Sequence, residues 1–229
     1  KEEQAIFEAK SLIHKKEKTG YVNQNAPPSA SRGIQHSPLP MLAKEYKGYD
    51  TLKSKDIINI AIQPKLDGIR CLANVKTGEL WSRKQTRIDG LGHITHAIKK
   101  CSFPEHITWL DGELYTHGKS FNDISSMVRR TTNFTQESQS IQYWVYDYIG
   151  TKPFQDRIRE LQDVRACTNI VITPTLFVHT LNNECIEKYH KKHTIDGYEG
   201  TMIRNAHSIY ETGKRSSHLL KYKDCCQEE

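Results

Sequence analysis

The sequence predicts an α+β fold of antiparallel sheets flanked by helices, and three observations carry that reading. Short apolar runs alternate with polar residues along most of the chain from Ile57 onward. Segments with apolar residues at three- and four-residue spacing fall between them. The two kinds of segment do not follow the strand-helix-strand rhythm of a parallel sheet. With 229 residues, 36% of them hydrophobic and 26% charged, the chain can bury the core of one large domain or two small ones. Three Trp, eleven Tyr and six Phe argue against disorder.

The elements follow in order. Ala5, Ile6, Ala9, Leu12 and Ile13 sit at helical spacing between Lys1 and Thr19, and Gly20 stands where such a helix would end. From Tyr21 to Pro40 the chain turns to Asn, Pro, Ser and Gly, a composition that holds no regular element. Residues 1–39 are therefore expected to be a helix and an extended connector, and residues 40–229 the main domain. Ile58, Ile60 and Ile62 alternate, Asp67-Gly68 offers a turn, and Ile69, Cys71, Ala73 and Val75 alternate again, which predicts a hairpin. Further strands are expected at Leu80-Trp81, Ile107–Tyr115, Ile141–Ile149, Ile170–Val178, Thr201–Arg204 and His218–Tyr222. Helices are expected at Ile94–Lys100, from Phe121 through Val128 behind Ser120 as N-cap, from Phe154 through Val164, and at Cys185–Lys192.

Composition excludes several classes of protein. The longest apolar stretches are broken by Asn59, Thr173 and Pro174 and are too short to cross a bilayer, and the charged opening KEEQ is not a signal peptide. A net charge of +6 favours a polyanionic partner without requiring one. The six cysteines form no CxxC pair and have no ligand-like spacing to the eleven histidines, which speaks against zinc and against a disulfide scaffold. They read as reduced thiols of a cytosolic protein.

Four clusters are candidates for chemistry. Lys65-Leu66-Asp67-Gly68-Ile69-Arg70 offers a lysine that becomes a nucleophile when neutral, a state favoured by burial and neighbouring cations. An ordinary charged hairpin has the same letters. Asp111-Gly112-Glu113 places two carboxylates in a strand, either solvated or aimed into a pocket at a ribose or a metal. Glu199-Gly200-Thr201-Met202-Ile203-Arg204 repeats the pattern of an acid, a glycine and a strand. Lys221 and Lys223 share one face of the last strand, an arrangement that an edge strand protected by lysines also shows.

Singly, each cluster is commonplace, but their order is not. KLDGIR, LDGELY, YWVYDYI, EGTMIR and LLKYK resemble, in sequence, the motifs of the covalent nucleotidyltransferases: ATP-dependent DNA ligases, RNA ligases and mRNA capping guanylyltransferases. The resemblance runs from about Pro40 to Lys223. Pro40-Met41-Leu42-Ala43, the form of EGTMIR and Ser82-Arg83 resemble the ATP-dependent DNA ligases most, including compact viral, phage and bacterial ones.

The resemblance implies a nucleotidyltransferase (ATP-grasp-like) adenylation domain without the C-terminal OB-fold, a domain expected in the full-length protein. It implies that Lys65 attacks the α-phosphate of ATP to form a lysyl-AMP intermediate, that AMP passes to the 5'-phosphate of a nick, and that the 3'-hydroxyl then seals it. By the same resemblance Gln63, Lys65, Arg70, Glu113, Tyr146, Arg215, Lys221 and Lys223 bind the nucleotide, and Glu113 and Glu199 bind Mg²⁺. Tyr146 would stack on adenine, its alternative being a core aromatic. Arg83, Lys84, Arg87, Arg129 and Arg130 would hold DNA phosphates, although Arg129 and Arg130 also suit a helix C-terminus. The implied partner is nicked double-stranded DNA, met by a monomer without a membrane in replication, repair and recombination. The implied location is the cytoplasm, the nucleus or a virus factory. The alternatives are an RNA ligase, a GTP-dependent capping enzyme and a catalytically silent nucleic-acid-binding module. The last does not explain why Lys65, Glu113 and Glu199 occur together.

Overall fold

The structure, a computed structural model, describes residues 37–48, 50–53, 59–130, 136–165, 167–179 and 182–224. The helix expected within residues 1–19 and the connector to residue 36 lie outside them. The described elements are β1 (Leu42–Glu45), α1 (Asp50–Lys53), β2 (Ile60–Lys65), β3 (Ile69–Asn74), β4 (Leu80–Ser82), β5 (Arg87–Ile88), α2 (Gly92–Lys100), β6 (Trp109–Tyr115), α3 (Phe121–Arg129), a 3-10 turn (Gln136–Ser140), β7 (Gln142–Tyr148), α4 (Phe154–Gln162), β8 (Ile170–Ile172), β9 (Leu176–Val178), α5 (Asn183–Ile195), β10 (Gly200–Asn205) and β11 (Arg215–Tyr222).

The strands form two sheets. One has the order β1-β11-β10-β2-β9 and the other β5-β4-β3-β6-β7-β8. Most pairs are antiparallel, as the sequence predicts, but two edge strands depart from this: β1 runs parallel to β11 and β8 runs parallel to β7. The larger core joins the six-stranded sheet to three helices through Ala73, Leu110 and Val145 in the strands, Ile94 and Ile98 in α2, Ile124 in α3 and Ile158 in α4. A second core joins Ile60, Ile62, Ile203 and Leu220 of the five-stranded sheet to Ile186 of α5 and Leu52 of α1. Helix starts follow local chemistry: Ser120 Oγ accepts from the Asp123 amide at 3.2 Å, and Asn182 Oδ1 accepts from the Cys185 amide at 2.7 Å.

Three sequence expectations are corrected. The Asp67-Gly68 reversal is not a hairpin, because β2 lies between β10 and β9 in one sheet while β3 lies between β4 and β6 in the other. With both edges of each strand taken, the two cannot pair, and Leu66–Gly68 is a crossing between sheets. Ile170–Val178 is likewise two strands in different sheets, parted at Thr173–Thr175 around Pro174, whose missing N–H ends the ladder. Finally, Cys101 and Cys167 are joined by a disulfide with Cα atoms 6.1 Å apart, whereas Cys71 and Cys185 are free thiols. A separation of 66 residues leaves no trace of such a pair in the sequence.

Two glycines of the motifs answer to close approach. A Cβ on Gly68 would stand 2.4 Å from the Leu114 carbonyl, so the crossing can lie flat on β6 only without a side chain. Gly200 has φ +154°, and a Cβ there would meet the Tyr222 carbonyl at 2.3 Å.

Candidate active site

The two crossings leave a cleft of about 1170 Å³ between the sheets. Gln63, Lys65, Arg70, Glu113 and Tyr146 line it from the strands on either side of the first crossing and from β6 and β7. Arg215, Lys221 and Lys223 line it from the β11 region, and Arg83, Lys84, Arg87 and Arg129 from its rim. The structure thus gathers into one cavity residues that lie up to 160 positions apart in sequence. Two expected members stand outside the lining: Arg130, and Glu199, which reaches the cleft only through its bond to Lys65.

Lys65 is the last residue of β2, where the chain leaves the five-stranded sheet. Its side chain is 19% exposed, and Nζ donates to Glu199 Oε2 in an ion pair. Glu199 is placed opposite by its own backbone, whose amide donates to the Lys65 carbonyl at 3.0 Å. The lysine is bonded to a carboxylate, and the neighbouring cations expected from the sequence, Arg70, Lys221 and Lys223, line the same cleft. Asp67 lies close by. Burial and the Glu199 carboxylate raise its pKa.

Across the cleft, Arg70 and Glu113 are cross-strand neighbours on β3 and β6. Arg70 is not free to reach a ligand with its whole fork. Nε and Nη2 bond Asp111 at 2.9 and 2.6 Å, and Nη2 also donates to the Met41 carbonyl at 2.8 Å. Burial opposes the charge, but the Asp111 carboxylate outweighs it and keeps the guanidinium protonated. Asp111 is fully buried and also accepts from Tyr210 Oη at 2.7 Å. Burial pushes Glu113 up to about 8 despite Arg70 and Lys65 nearby. Tyr146 Oη donates to Glu113 Oε2 at 3.3 Å, and the guanidinium carbons of Arg70 and Arg204 lie 5.4 and 5.5 Å from its ring centroid.

The remaining cations are also partly committed. Lys221 Nζ is 3.3 Å from Glu45 Oε1, and Arg215 Nη1 donates to the Ala43 carbonyl at 2.6 Å. At the rim, Ser82 builds a tight turn: its Oγ accepts from the amides of Lys84 and Thr86 at 3.3 and 3.1 Å, which sets Arg83 and Lys84 at the cleft. Arg87 is held by Glu79 and Asp89, both at 2.9 Å.

No group of three or more His, Cys, Asp or Glu side chains among the described residues is placed to hold a metal alone. The oxygen donors present, Glu113, Glu199 and Asp67, suit a hard cation that keeps waters and borrows phosphate oxygens, which is how Mg²⁺ is held beside a nucleotide.

Sequence reading missed a buried network beneath the site. Arg204, on β10, donates from Nε to Gln63 Oε1 at 3.0 Å and from Nη1 to Asp147 Oδ2 at 2.8 Å. Asp147 is fully buried and takes Arg157 as well, Nε to Oδ1 at 2.8 Å and Nη2 to Oδ2 at 3.0 Å. The available signal was a charged residue at an inward position of an otherwise apolar strand, in YWVYDYI and again in EGTMIR. The side chain of Gln63 is likewise bound within the protein. Nε2 donates to the Tyr146 carbonyl at 3.2 Å and to Thr175 Oγ1 at 2.8 Å.

A lysine held by a carboxylate at the floor of a basic cleft between two sheets is the arrangement of a covalent nucleotidyltransferase, and comparison with known proteins defines which kind. The family model of the ATP dependent DNA ligase domain matches residues 40–223, and the chain belongs to that family. It is 28% identical over 200 residues to the DNA ligase of African swine fever virus (isolate Pig/Kenya/KEN-50/1950), covering 80% of this chain and 46% of the relative. It is 26% identical over 201 residues to DNA ligase 2 of Haloquadratum walsbyi, covering 80% of this chain and 31% of that one. The chain thus spans less than half the length of either relative. Among solved structures, a Lig E DNA ligase superimposes with a TM-score of 0.65 at 24% identity over 82% of this chain and 69% of that one. The Chlorella virus DNA ligase-adenylate gives 0.60 at 24% over 81% and 68%. These likenesses establish the fold. No helix among the described residues is long and apolar enough to cross a membrane.

Proposed function

We propose that residues 40–229 form the adenylation domain of a ligase that activates a nick in double-stranded DNA through a lysyl-AMP intermediate. Lys65 Nζ attacks the α-phosphorus of ATP, a P–N bond forms, the bond to the β-phosphate breaks, and pyrophosphate leaves. Glu199, the hydrogen-bond partner of Nζ, is positioned to take the proton that the amine sheds. AMP then passes from Lys65 to the 5'-phosphate of the nick, and the 3'-hydroxyl displaces it as the strands join. In-line phosphoryl chemistry of this kind depends on positioning and charge neutralisation.

The chain's own residues supply both. Lys221 and Lys223 enter the cleft from the β11 region to meet phosphate oxygens. Arg70, fixed by Asp111, keeps one nitrogen, Nη1, for a ribose or phosphate. Tyr146 offers a ring to the base, and Arg83, Lys84 and Arg129 offer sequence-independent contacts to DNA phosphates. Glu113 and Glu199 would hold Mg²⁺ together with the nucleotide, and the ion would neutralise phosphate charge.

The observation that carries this reading is the Lys65–Glu199 pair on the floor of a cleft lined by Arg70, Lys221 and Lys223. Incubation with ATP labelled at the α-phosphate, followed by a denaturing gel, tests it. A band that survives denaturation and alkali but not acid is the expected phosphoramidate. Absence of covalent label in the presence of Mg²⁺ refutes it.

A further inference from the structure

A primary amide presents either donors or an acceptor, depending on which way it is turned. The neighbours of Gln63 remove that choice. The Tyr146 carbonyl, facing Nε2, can only accept. Thr175 Oγ1, also facing Nε2, has committed its own hydrogen to the Thr173 carbonyl at 3.0 Å, so it accepts as well. Arg204 Nε, facing Oε1, can only donate. Arg204 is itself buried and fixed by Asp147, which Arg157 holds in turn. Turning the amide over would set Oε1 against two oxygens and Nε2 against a guanidinium in a buried site, where unmade hydrogen bonds are costly. Both hydrogens of Nε2 are spent, so the capacity left on this side chain is one lone pair of Oε1.

Gln63 lines the cleft against β7, the strand that carries Tyr146. We propose that Thr175 and Arg204 are positioning residues that set the base preference of adenylylation. By locking the Gln63 amide they turn an acceptor, and no donor, toward the edge of a purine stacked on Tyr146. This rests on the lysine-adenylylation reading above. Adenine carries a 6-amino group that donates to such an acceptor, whereas a 6-oxo purine sets a lone pair against a lone pair. Sites built to hydrogen-bond one substrate group reject an analogue that lacks it far more strongly than apolar pockets do.

The test compares covalent labelling of the 229-residue chain by ATP, by purine riboside triphosphate, which lacks the 6-amino group, and by inosine triphosphate, which carries a 6-oxo group. The wild-type chain is expected to favour ATP over the purine riboside compound by at least ~10-fold and over the inosine compound by more than ~100-fold. The double variant Thr175→Val, Arg204→Met frees the amide to turn, and its preference for ATP over the inosine compound is expected to fall below ~10-fold. Thr175→Ser keeps the hydroxyl and the wild-type preference. A double variant that labels well with undiminished preference overturns the proposal.

Should the double variant not fold, Gln63→Met conserves volume and removes the acceptor, so ATP and purine riboside triphosphate should label it equally. Equal labelling of the wild-type chain by those two compounds overturns the proposal without any variant. Absence of labelling by every nucleotide instead refutes the adenylylation reading on which it stands.

Discussion

Tyr146 donates its hydroxyl to the Glu113 carboxyl group, Oη to Oε2 at 3.3 Å, so the ring proposed to meet a base and the acid proposed to meet a ribose or metal are parts of one unit. The sequence marks the ring as a stacking surface and gives no reason for its oxygen. The bond supplies one. Tyr146→Phe should keep the ring and loosen Glu113, lowering the rate of covalent labelling several-fold, with a cost of about 1 kcal/mol for a hydrogen bond to a carboxyl that burial keeps mostly neutral. Tyr146→Leu should lose substantially more, because the stacking surface goes as well. Equal rates for wild type and Tyr146→Phe in a single-turnover labelling assay would show that the hydroxyl is idle.

Asp111 carries two buried obligations, the Arg70 fork and the Tyr210 hydroxyl. Asp111→Asn keeps the shape but leaves the Arg70 guanidinium without its counter-charge. Removing one partner of a buried pair typically costs about 3–5 kcal/mol. Denaturant unfolding should show a loss of that order, and labelling should fall with it. A variant as stable as wild type would mean that water reaches Arg70 and satisfies it.

Of the residues proposed to contact DNA, Arg83, Arg87, Arg129 and Arg130 should not contribute equally to binding. Among the described residues no acidic side chain forms an ion pair with Arg83 or Arg129, which line the cleft, whereas Arg87 is shared between Glu79 and Asp89, and Arg130 stands outside the lining. Arg83→Ala should reduce the slope of log affinity against log salt by about 1. Arg130→Ala should leave the slope unchanged, and Arg87→Ala should fall between the two. Nicked-duplex binding at several salt concentrations separates them, and a slope that is lost equally from all three contradicts the cleft as the DNA path.

Glu160 sits among Lys152, Tyr148 and His106. Burial works against its charge, but the hydrogen bonds from these three outweigh it and hold the carboxyl at about 2. Because the folded value lies below the unfolded one, the contribution is complete above about pH 4.3, the ordinary glutamate value, and is lost as the pH falls toward 2. Glu160→Gln should therefore be less stable than wild type at neutral pH and converge with it in acid. Thermal midpoints measured from pH 7 to pH 2.5 check the sign, and parallel curves would contradict it.

Most strands and helices were legible because they advertise their period: Ile94, Ala97 and Ile98 bury one face of α2, and β6 and β7 read as strands from their apolar content, whereas β1, β5 and α1, two to four residues each, are too short to show one. Sheet membership was not legible. Asp67-Gly68 has the letters of a hairpin turn, and nothing local reports that β2 and β3 already have other partners on both edges. The candidate site divides in the same way. Lys65, Glu113, Tyr146 and Glu199 belong to recognisable motifs, and the structure brings them together. The buried connections beneath them, Asp111 to Tyr210, Arg204 to Gln63 and Asp147 to Arg157, join residues 10 to 141 positions apart and depend on a fold that sequence spacing does not encode.

The most direct measurement is the mass of the chain after incubation with ATP and Mg²⁺, followed by digestion to locate any adduct. One AMP should be attached, it should map to the peptide carrying Lys65, and Lys65→Ala should abolish it while unfolding at a denaturant concentration close to wild type, since a partly exposed side chain contributes little to stability. An adduct on another residue, or an undiminished adduct in Lys65→Ala, would contradict the assignment of Lys65 as the nucleophile.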